Sequence, residues 1–258
     1  MKCTWLMLLC PVALCAAEHD HGAQQNPVPV STEPAPDLAE AHEHMLAEHG
    51  ASLNFLVLGE RFEQRDDDTQ LWELQGWLGY DRDKLWLKTE GDYDTDARST
   101  EHSEMQLLYS RAIAPFWDLQ MGLRHDRADG ADRSHVALGF MGLAPSWFEI
   151  DAAAFISDAG DVSARLEAEY ELRFTQRLLL QPRIELNYSF DDDASMQVGE
   201  GLDEASFGLR LRYEWRRELA PYLGLEWARA YGATASLLRA AGDDSSEARV
   251  VAGLRFWY

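Results

Sequence analysis

The sequence predicts an all-β fold: a transmembrane antiparallel up-and-down β-barrel of about 12 strands, preceded by a disordered or partly helical N-terminal tail. Three observations predict it. Apolar and polar residues alternate with period two over segments of about 9–11 residues, the length of a membrane-spanning strand. Short connections alternate with longer polar ones along the chain. The last segment, ARVVAGLRFWY, ends on an aromatic residue in its apolar register, as the closing strands of bacterial outer-membrane barrels typically do.

The clearest alternation runs through residues 162–190, VSARLEAEYELRFTQRLLLQPRIELNYSF. Apolar side chains occupy most even-numbered positions there, whereas most odd-numbered positions are charged or polar. An amphipathic helix would need a 3.6-residue period, so this stretch predicts a hairpin of two strands with one apolar face. Pro182 lies on the apolar face, where a central strand of a soluble sheet would tolerate it poorly.

Twelve segments of this kind follow Ser52, an even number as in bacterial outer-membrane barrels. They are placed at residues 53–63, 71–81, 85–93, 104–112, 117–126, 134–143, 147–156, 163–174, 178–190, 205–215, 222–231 and 248–258. A soluble β-sandwich would also alternate and is the competing fold. Aromatic residues near the strand ends predict interfacial girdles, namely Trp117, Trp147, Tyr188, Trp215 and Trp227.

The lengths of the connections between the strands give a further prediction. Those at residues 82–83, 113–116, 144–146, 175–177 and 216–221 are short, whereas those at 94–103, 127–133, 191–204 and 232–247 are longer and polar. Because such barrels have short periplasmic turns and longer outer loops, the alternation predicts both ends of the barrel sequence on the periplasmic side.

The N-terminal fifth of the chain differs from the rest. Residues 1–17 predict a secretory signal peptide, with Lys2, an apolar stretch and a small-residue cleavage site. All three cysteines lie within it, so the mature chain would lack disulfides. Lipid attachment at Cys15 is the alternative, disfavoured because Leu14 is large for the position before it. Residues 18–50 predict a flexible periplasmic tail with a helical pattern over 37–49, and residues 51–258 the outer-membrane barrel.

Charge limits the choice of partners. The formal net charge is −22, which excludes nucleic acid because its binding needs a basic surface. An acidic chain instead attracts cations. The inward strand faces are densely charged, with the members Lys84, Lys88, Glu90, Asp92, Glu149, Asp151, Arg165, Glu167, Glu169, Glu171, Arg173, Arg183, Glu185, Arg210, Arg212 and Glu214. Two interpretations stay open: an ion-pair ladder that fills a narrow lumen, and a path for cations.

Candidate metal ligands are concentrated in the predicted tail. It holds five of the eight histidines. In a helix, His42, Met45 and His49 would share one face, with His44 close by, and His19 and His21 form a second pair near the predicted new N-terminus. Imidazole and thioether ligands suit copper, and a thioether suits the cuprous ion in particular. Histidines also accumulate in polar exported tails without binding metal, and the sequence leaves both interpretations open.

No enzymatic activity is expected. After His42 and Glu43 a zinc-protease motif needs a histidine where Leu46 stands. A Gly-x-Ser-x-Gly elbow, a phosphate loop and a dinucleotide fingerprint are all absent from the sequence. The three remaining histidines fall in or beside predicted outer loops, away from any embedded serine.

Long segments of the predicted barrel resemble the copper resistance protein B family. They are ELQGWLGYDRDKLWLKTEGD (73–92), EMQLLYSRAIAPFWDLQMGLRHD (104–126), GLAPSWFEIDAAAFI (142–156), ARLEAEYELRFTQRLLLQPRIELN (164–187), GLRLRYEWRRELAPYLGLEW (208–227) and VAGLRFWY (251–258). The resemblance covers about residues 53–258. It implies an outer-membrane barrel that binds copper ions and contributes to copper sequestration or to copper movement across the outer membrane.

The same resemblance implies copper ions and outer-membrane lipid as partners, with a periplasmic copper-handling protein as a further candidate. Family members usually carry a tail rich in methionine and histidine, but Met45 is the only methionine between residues 18 and 50. The redox state of the bound copper therefore stays open between cuprous and cupric. A general small-solute outer-membrane channel with no dedicated metal role is the alternative function, and a purely structural membrane barrel is a third.

Overall fold

The computed structural model describes residues 52–128, 131–193 and 196–258. The predicted signal peptide and the predicted tail lie outside the described residues. The strands of the described residues form one antiparallel sheet in which each strand pairs with its neighbours in sequence, and the last strand pairs with the first. The sheet is therefore a closed up-and-down barrel, which confirms the predicted fold class over the β-sandwich.

Twelve strands make up this barrel in the described residues. They are β1 (Asn54–Arg65), β2 (Thr69–Gly79), β3 (Asp83–Asp94), β4 (Ser99–Ala114), β5 (Trp117–Ala128), β6 (Ala131–Ala144), β7 (Phe148–Ser157), β8 (Val162–Glu169, continued at Leu172–Arg173), β9 (Leu178–Ser189), β10 (Gly201–Tyr213), β11 (Leu219–Ala230) and β12 (Ser246–Trp257). Both parts of β8 pair with β9, so they count as one interrupted strand. Every predicted strand has its counterpart, with ends shifted by a few residues.

The barrel closes where β12 meets β1. Trp257 lies opposite Leu58 in the register of this pair. The backbone of Tyr258 exchanges hydrogen bonds of 2.8 and 2.9 Å with that of Val57. The Tyr258 ring also packs against Phe55, with 6.0 Å between the ring centroids. The predicted closing role of the last strand is thus confirmed, and no strand edge of the barrel is left unpaired at this seam.

The outer surface of the barrel is apolar. Large side chains at the middle of the strands are exposed on it, among them Leu107, Leu123, Val136, Leu138 and Leu225. In a soluble protein an apolar belt of this extent would be a liability, but it suits a barrel that faces lipid. In the hairpin of β8 and β9 the even-numbered residues Leu166, Ile184 and Tyr188 are exposed and Arg183 is buried, as the alternation predicted.

A β-bulge in β1 reverses the alternation of that strand. The register with β2 shifts between Gly59 and Arg61. Phe55 and Phe62 both face outward, although their positions differ in parity. An extra residue in one strand has this effect because successive side chains point to opposite faces. The bulge places Glu60 and Arg61, neighbours in sequence, on the lumen side.

The predicted rhythm of short and long connections is wrong in part. The predicted loop at 94–103 is a short turn between Asp94 and Ser99, and the predicted loop at 127–133 is a hairpin in which Ala128 pairs with Ala131. Polar residues there continue the strands, because strand ends beyond the hydrocarbon layer can be polar on both faces. Two long connections remain, at 190–200 and 231–245, and both lie at the same end of the barrel, here called the loop end.

The connection between β11 and β12 contains a helix that the sequence did not predict, α1 (Gly232–Ala241). Gly242 ends it in the left-handed conformation, with φ of 98°, as glycine commonly does at a helix C-terminus. Thr234 and Ala235 are buried where α1 contacts β10. Among the described residues, no helix is long and apolar enough to cross a membrane.

Aromatic side chains ring the opposite end of the barrel, here called the turn end. The exposed members of this ring are Tyr80, Phe116, Trp147, Phe174, Trp215 and Tyr258. Trp147 is 70% exposed and Trp215 62% exposed, as the predicted girdle requires. Aromatic rings prefer the boundary between lipid and water, so this ring marks one interface of the membrane.

Candidate functional site: a charged and divided lumen

The predicted metal ligands His19, His21, His42, His44, Met45 and His49 all lie outside the described residues, so their predicted role stays a prediction. The described ranges 52–128, 131–193 and 196–258 contain no group of three or more histidine, cysteine, aspartate or glutamate side chains arranged to hold a metal ion. Within these ranges Met105 and Met121 are exposed on the outer surface, whereas Met141 lines the lumen.

The predicted ion-pair ladder is present in the lumen. Lys88 Nζ lies 2.6 Å from Asp151 Oδ2 on the far wall, and Lys84 Nζ lies 3.1 Å from Asp118 Oδ2. At the turn end Arg212 donates to Glu171 and to Gln181. Arg173 is the exception among the predicted lumen residues, because its side chain is 54% exposed and pairs with Glu171 at the barrel rim. Charges of opposite sign thus fill much of the interior.

Arg183 is the centre of the densest cluster. Its side chain is 6% exposed. Its guanidinium lies 2.6 Å from Glu167, 2.9 Å from Glu73, 3.3 Å from Glu185 and 3.4 Å from Glu169. Glu73 belongs to β2, nearly opposite β9 in the barrel, so this contact crosses the lumen. One arginine therefore pairs with four carboxylates and connects opposite walls of the barrel.

Arg210 is the centre of a second cluster. Its Nε lies 2.6 Å from Glu63 Oε1, and its Nη2 lies 2.5 Å from Glu226 Oε2. Tyr222 donates a third hydrogen bond of 2.9 Å to the Glu63 carboxylate, which is fully buried. Gly208 leaves room for the arginine, because a Cβ at that position would overlap with the guanidinium.

Several of these residues escaped the sequence analysis. Arg61, Glu63 and Arg65 were missed because the bulge in β1 resets the alternation, and a bulge has no fixed sequence signal. Glu104 on β4, Asp126 on β5 and Glu226 on β11 lie within segments whose alternation was recognised. Their parity could have placed them in the lumen.

The charged clusters divide the lumen into two spaces. The inner chamber has a volume of about 370 Å³ and combines apolar residues such as Trp86 and Leu108 with the carboxylates of Glu149 and Asp151. The vestibule at the loop end is larger, about 1050 Å³. Glu90, Phe155 and Arg165 line both spaces. These three side chains therefore lie at the boundary between the two spaces.

The vestibule is strongly acidic. Among the described residues, sixteen aspartates and glutamates line it, against six arginines. Two histidines, His102 and His135, also face it. A cleft with one sign of charge and low-dielectric walls concentrates counter-ions. The arrangement favours cations at the loop end and disfavours anions.

The acidic groups at the rim are fixed by specific contacts. Arg133 Nη2 lies 2.6 Å from Asp193, and Asp203 accepts hydrogen bonds from Ser189 and from Thr234 of α1. Asp67 lies in the connection between β1 and β2. Partial burial alone would raise the pKa of Asp67, but Arg249 at 2.6 Å and the Thr69 backbone N–H hold it below its usual value. This carboxylate therefore stays charged at neutral pH.

Comparison with known proteins shows the family to which this barrel belongs. The family model described as Copper resistance protein B precursor (CopB) matches residues 53–258. The chain belongs to the copper resistance protein B family. The match spans every strand of the barrel, so the whole charged lumen is part of the family domain.

Relatives within this family are similar over most of their length. Copper resistance protein B of Escherichia coli is 38% identical over 266 residues, covering 94% of this chain and 89% of the relative. A copper resistance protein B homolog of Pseudomonas syringae pv. tomato is 38% identical over 258 residues, covering 93% and 86%. A role in copper resistance follows for this member of the copper resistance protein B family.

Solved structures support the fold of this family member. The NanC porin matches with a TM-score of 0.51 at 12% identity, covering 79% of this chain and 99% of the porin. At that identity the likeness shows the outer-membrane barrel architecture alone. It agrees with the closed twelve-stranded sheet and with the exposed apolar belt.

Proposed function

We propose that this protein binds copper ions through its N-terminal segment and that its barrel contributes to copper sequestration or movement across the outer membrane. The acidic vestibule is the observation that carries the proposal, because the sixteen described carboxylates that line it attract cations. Membership of the copper resistance protein B family makes copper the relevant cation. We assign the protein no catalytic activity.

We place the first copper contact in residues 18–50, on the periplasmic side. His42, His44, Met45 and His49 are close in sequence, and His19 and His21 add a second pair. Imidazole and thioether groups bind copper more tightly than isolated carboxylates do. A segment with several such ligands can gather the ion, while the fixed carboxylates of the barrel provide only weak attraction. A periplasmic copper-handling protein is the partner that we propose for supply or removal of the ion.

Deletion of residues 18–50 tests this proposal. We expect the deletion variant to lose most of its high-affinity copper binding, because the imidazole and thioether ligands leave with the segment. Titration of the purified full-length protein and of the variant, with cuprous and with cupric ion, measures the change. His125→Ala is the matched control, since this exposed histidine belongs to the barrel. Undiminished binding by the deletion variant would contradict the proposal.

A general small-solute channel is the second candidate, and the two spaces of the lumen, of about 370 and 1050 Å³, favour it. Such a channel would conduct small ions in a planar bilayer regardless of copper. A barrel that serves copper would instead change its conductance when copper is added. A purely structural barrel would conduct under neither condition, and its loss would leave copper tolerance unchanged.

A further inference from the structure

Arg165 spans the lumen at the boundary between its two spaces. It projects from β8, and its guanidinium reaches β3 and β4 on the far wall. Nη1 lies 2.8 Å from Glu90 Oε1, and Nη2 lies 2.9 Å from Glu104 Oε2. Asn187 on the neighbouring strand β9 accepts a hydrogen bond of 3.1 Å from Nε. Three strands, β5 to β7, lie between β8 and β4 in the closed sheet, so this side chain forms a bar across the lumen.

The bar lies where the inner chamber and the vestibule meet. Arg165 and its partner Glu90 line both spaces, as does Phe155. The other two cross-lumen ties lie elsewhere. Lys88 and Asp151 line the inner chamber only, and Arg183 lines neither space. The passage between the two spaces is therefore bounded by Arg165.

We propose that Arg165 is the specificity-determining residue of this lumen: it closes the passage between vestibule and inner chamber, and its carboxylate partners Glu90 and Glu104 form a cation-selective constriction when it is displaced. This inference deepens the proposed movement of copper across the outer membrane and rests on it for its physiological meaning. The chemical class of the permeant is a small cation, because an ion that passes must take the place of the guanidinium.

The charged groups around Arg165 predict the net charge that remains when its guanidinium is removed. Glu104 keeps Arg124 at 2.8 Å, since that arginine approaches from the adjacent strand β5. Among the described residues, Glu90 forms its ion pair with Arg165. Loss of the guanidinium therefore leaves an excess of negative charge at the boundary between the two spaces, next to a vestibule that is already acidic. Cations are attracted to such a constriction and anions are repelled.

Electrical recording of the full-length protein in planar bilayers, in a potassium chloride gradient without copper, tests the inference. We expect wild type to stay closed, and Arg165→Ala to show openings whose reversal potential is shifted toward that of potassium. The triple variant R165A/E90Q/E104Q should still open but show a smaller shift, because only the vestibule then favours cations. Arg173→Ala is the matched control, because Arg173 lies on the continuation of the same strand and is exposed at the rim. It should stay closed like wild type.

Two results would overturn the inference: folded Arg165→Ala that stays closed, or openings that prefer chloride. The different electrophoretic mobility of unheated and heated samples reports whether each variant is folded. If Arg165→Ala does not fold, Arg165→Gln replaces it, since the amide can still donate to one carboxylate while the bar is shortened and uncharged. The recordings contain no copper, so the closing role of Arg165 and the proposed copper role can be refuted independently. Suppose that Arg165→Ala opens and that deletion of residues 18–50 leaves copper binding undiminished. This result would support the closing role of Arg165 and contradict copper binding by residues 18–50.

Discussion

Replacement of Arg183 by methionine is expected to cost about 3–5 kcal/mol of the free energy of unfolding, the range found when one partner of a buried ion pair is removed. Four carboxylates lie within 3.4 Å of its guanidinium. Glu73 would keep Arg61 at 2.5 Å, and Glu169 would keep a hydrogen bond of 2.6 Å from Gln181. Glu167 would lose the cation that lies 2.6 Å from it. Urea unfolding of the barrel in lipid vesicles measures the loss.

The control for this substitution is Arg173→Met. Arg173 pairs with carboxylates too, but its side chain is 54% exposed, so the expected change is about 0–1 kcal/mol. A second variant, R183M/E167Q, should recover part of the stability because it removes one of the stranded charges. Equal stability of Arg183→Met and wild type would show that the cluster does not hold the walls together.

The pair of Arg210 and Glu63 should show strong non-additivity. Arg210→Met leaves the buried Glu63 carboxylate without its cation and should cost about 3–5 kcal/mol. Glu63→Leu should cost less, because Arg210 keeps Glu226 at 2.5 Å. The double variant removes both charges, and Glu226 keeps Arg65 at 3.0 Å. Tyr222 would lose its acceptor, so Tyr222→Phe is added to complete the apolar replacement. We expect the triple variant to lie much closer to wild type than either single variant.

A double-mutant cycle on the same unfolding measurement gives the coupling between Arg210 and Glu63. Buried pairs in contact show coupling of about 0.5–3 kcal/mol or more. The alternative outcome, single losses that simply add in the double variant, would mean that the two side chains contribute independently. The pairing of these buried charges would then not account for the stability of the barrel.

The barrel was predictable because apolar and polar residues alternate regularly along its strands. Residues 162–190 alternate so regularly that the strands, their turn and their apolar faces could all be predicted. The bulge in β1 could not, because the step that brings Glu60 and Arg61 to the same face depends on pairing with β2 and β12. The loop-end turns were misplaced for a related reason, since polar strand ends such as Ser99 to Ser103 have the same composition as loops.

The candidate site was predictable in part. Parity placed Arg165, Arg183 and Arg210 in the lumen, but it could not tell which carboxylates they meet. The partners Glu90, Glu73 and Glu63 come from strands distant in sequence, and barrel closure alone brings them together. The proposed copper ligands of the tail remain a prediction from composition and spacing.

Copper tolerance of a deletion strain tests the central claim most directly, namely that the N-terminal segment and the barrel act together against copper. Three versions are compared: the strain without the protein, the strain with the full chain, and the strain with the chain lacking residues 18–50. Outer-membrane fractions confirm that both versions of the protein are present at equal amounts. We predict that the full chain restores growth at raised copper and that the shortened chain does not. Full restoration by the shortened chain, or growth of the deletion strain equal to wild type, would contradict the account.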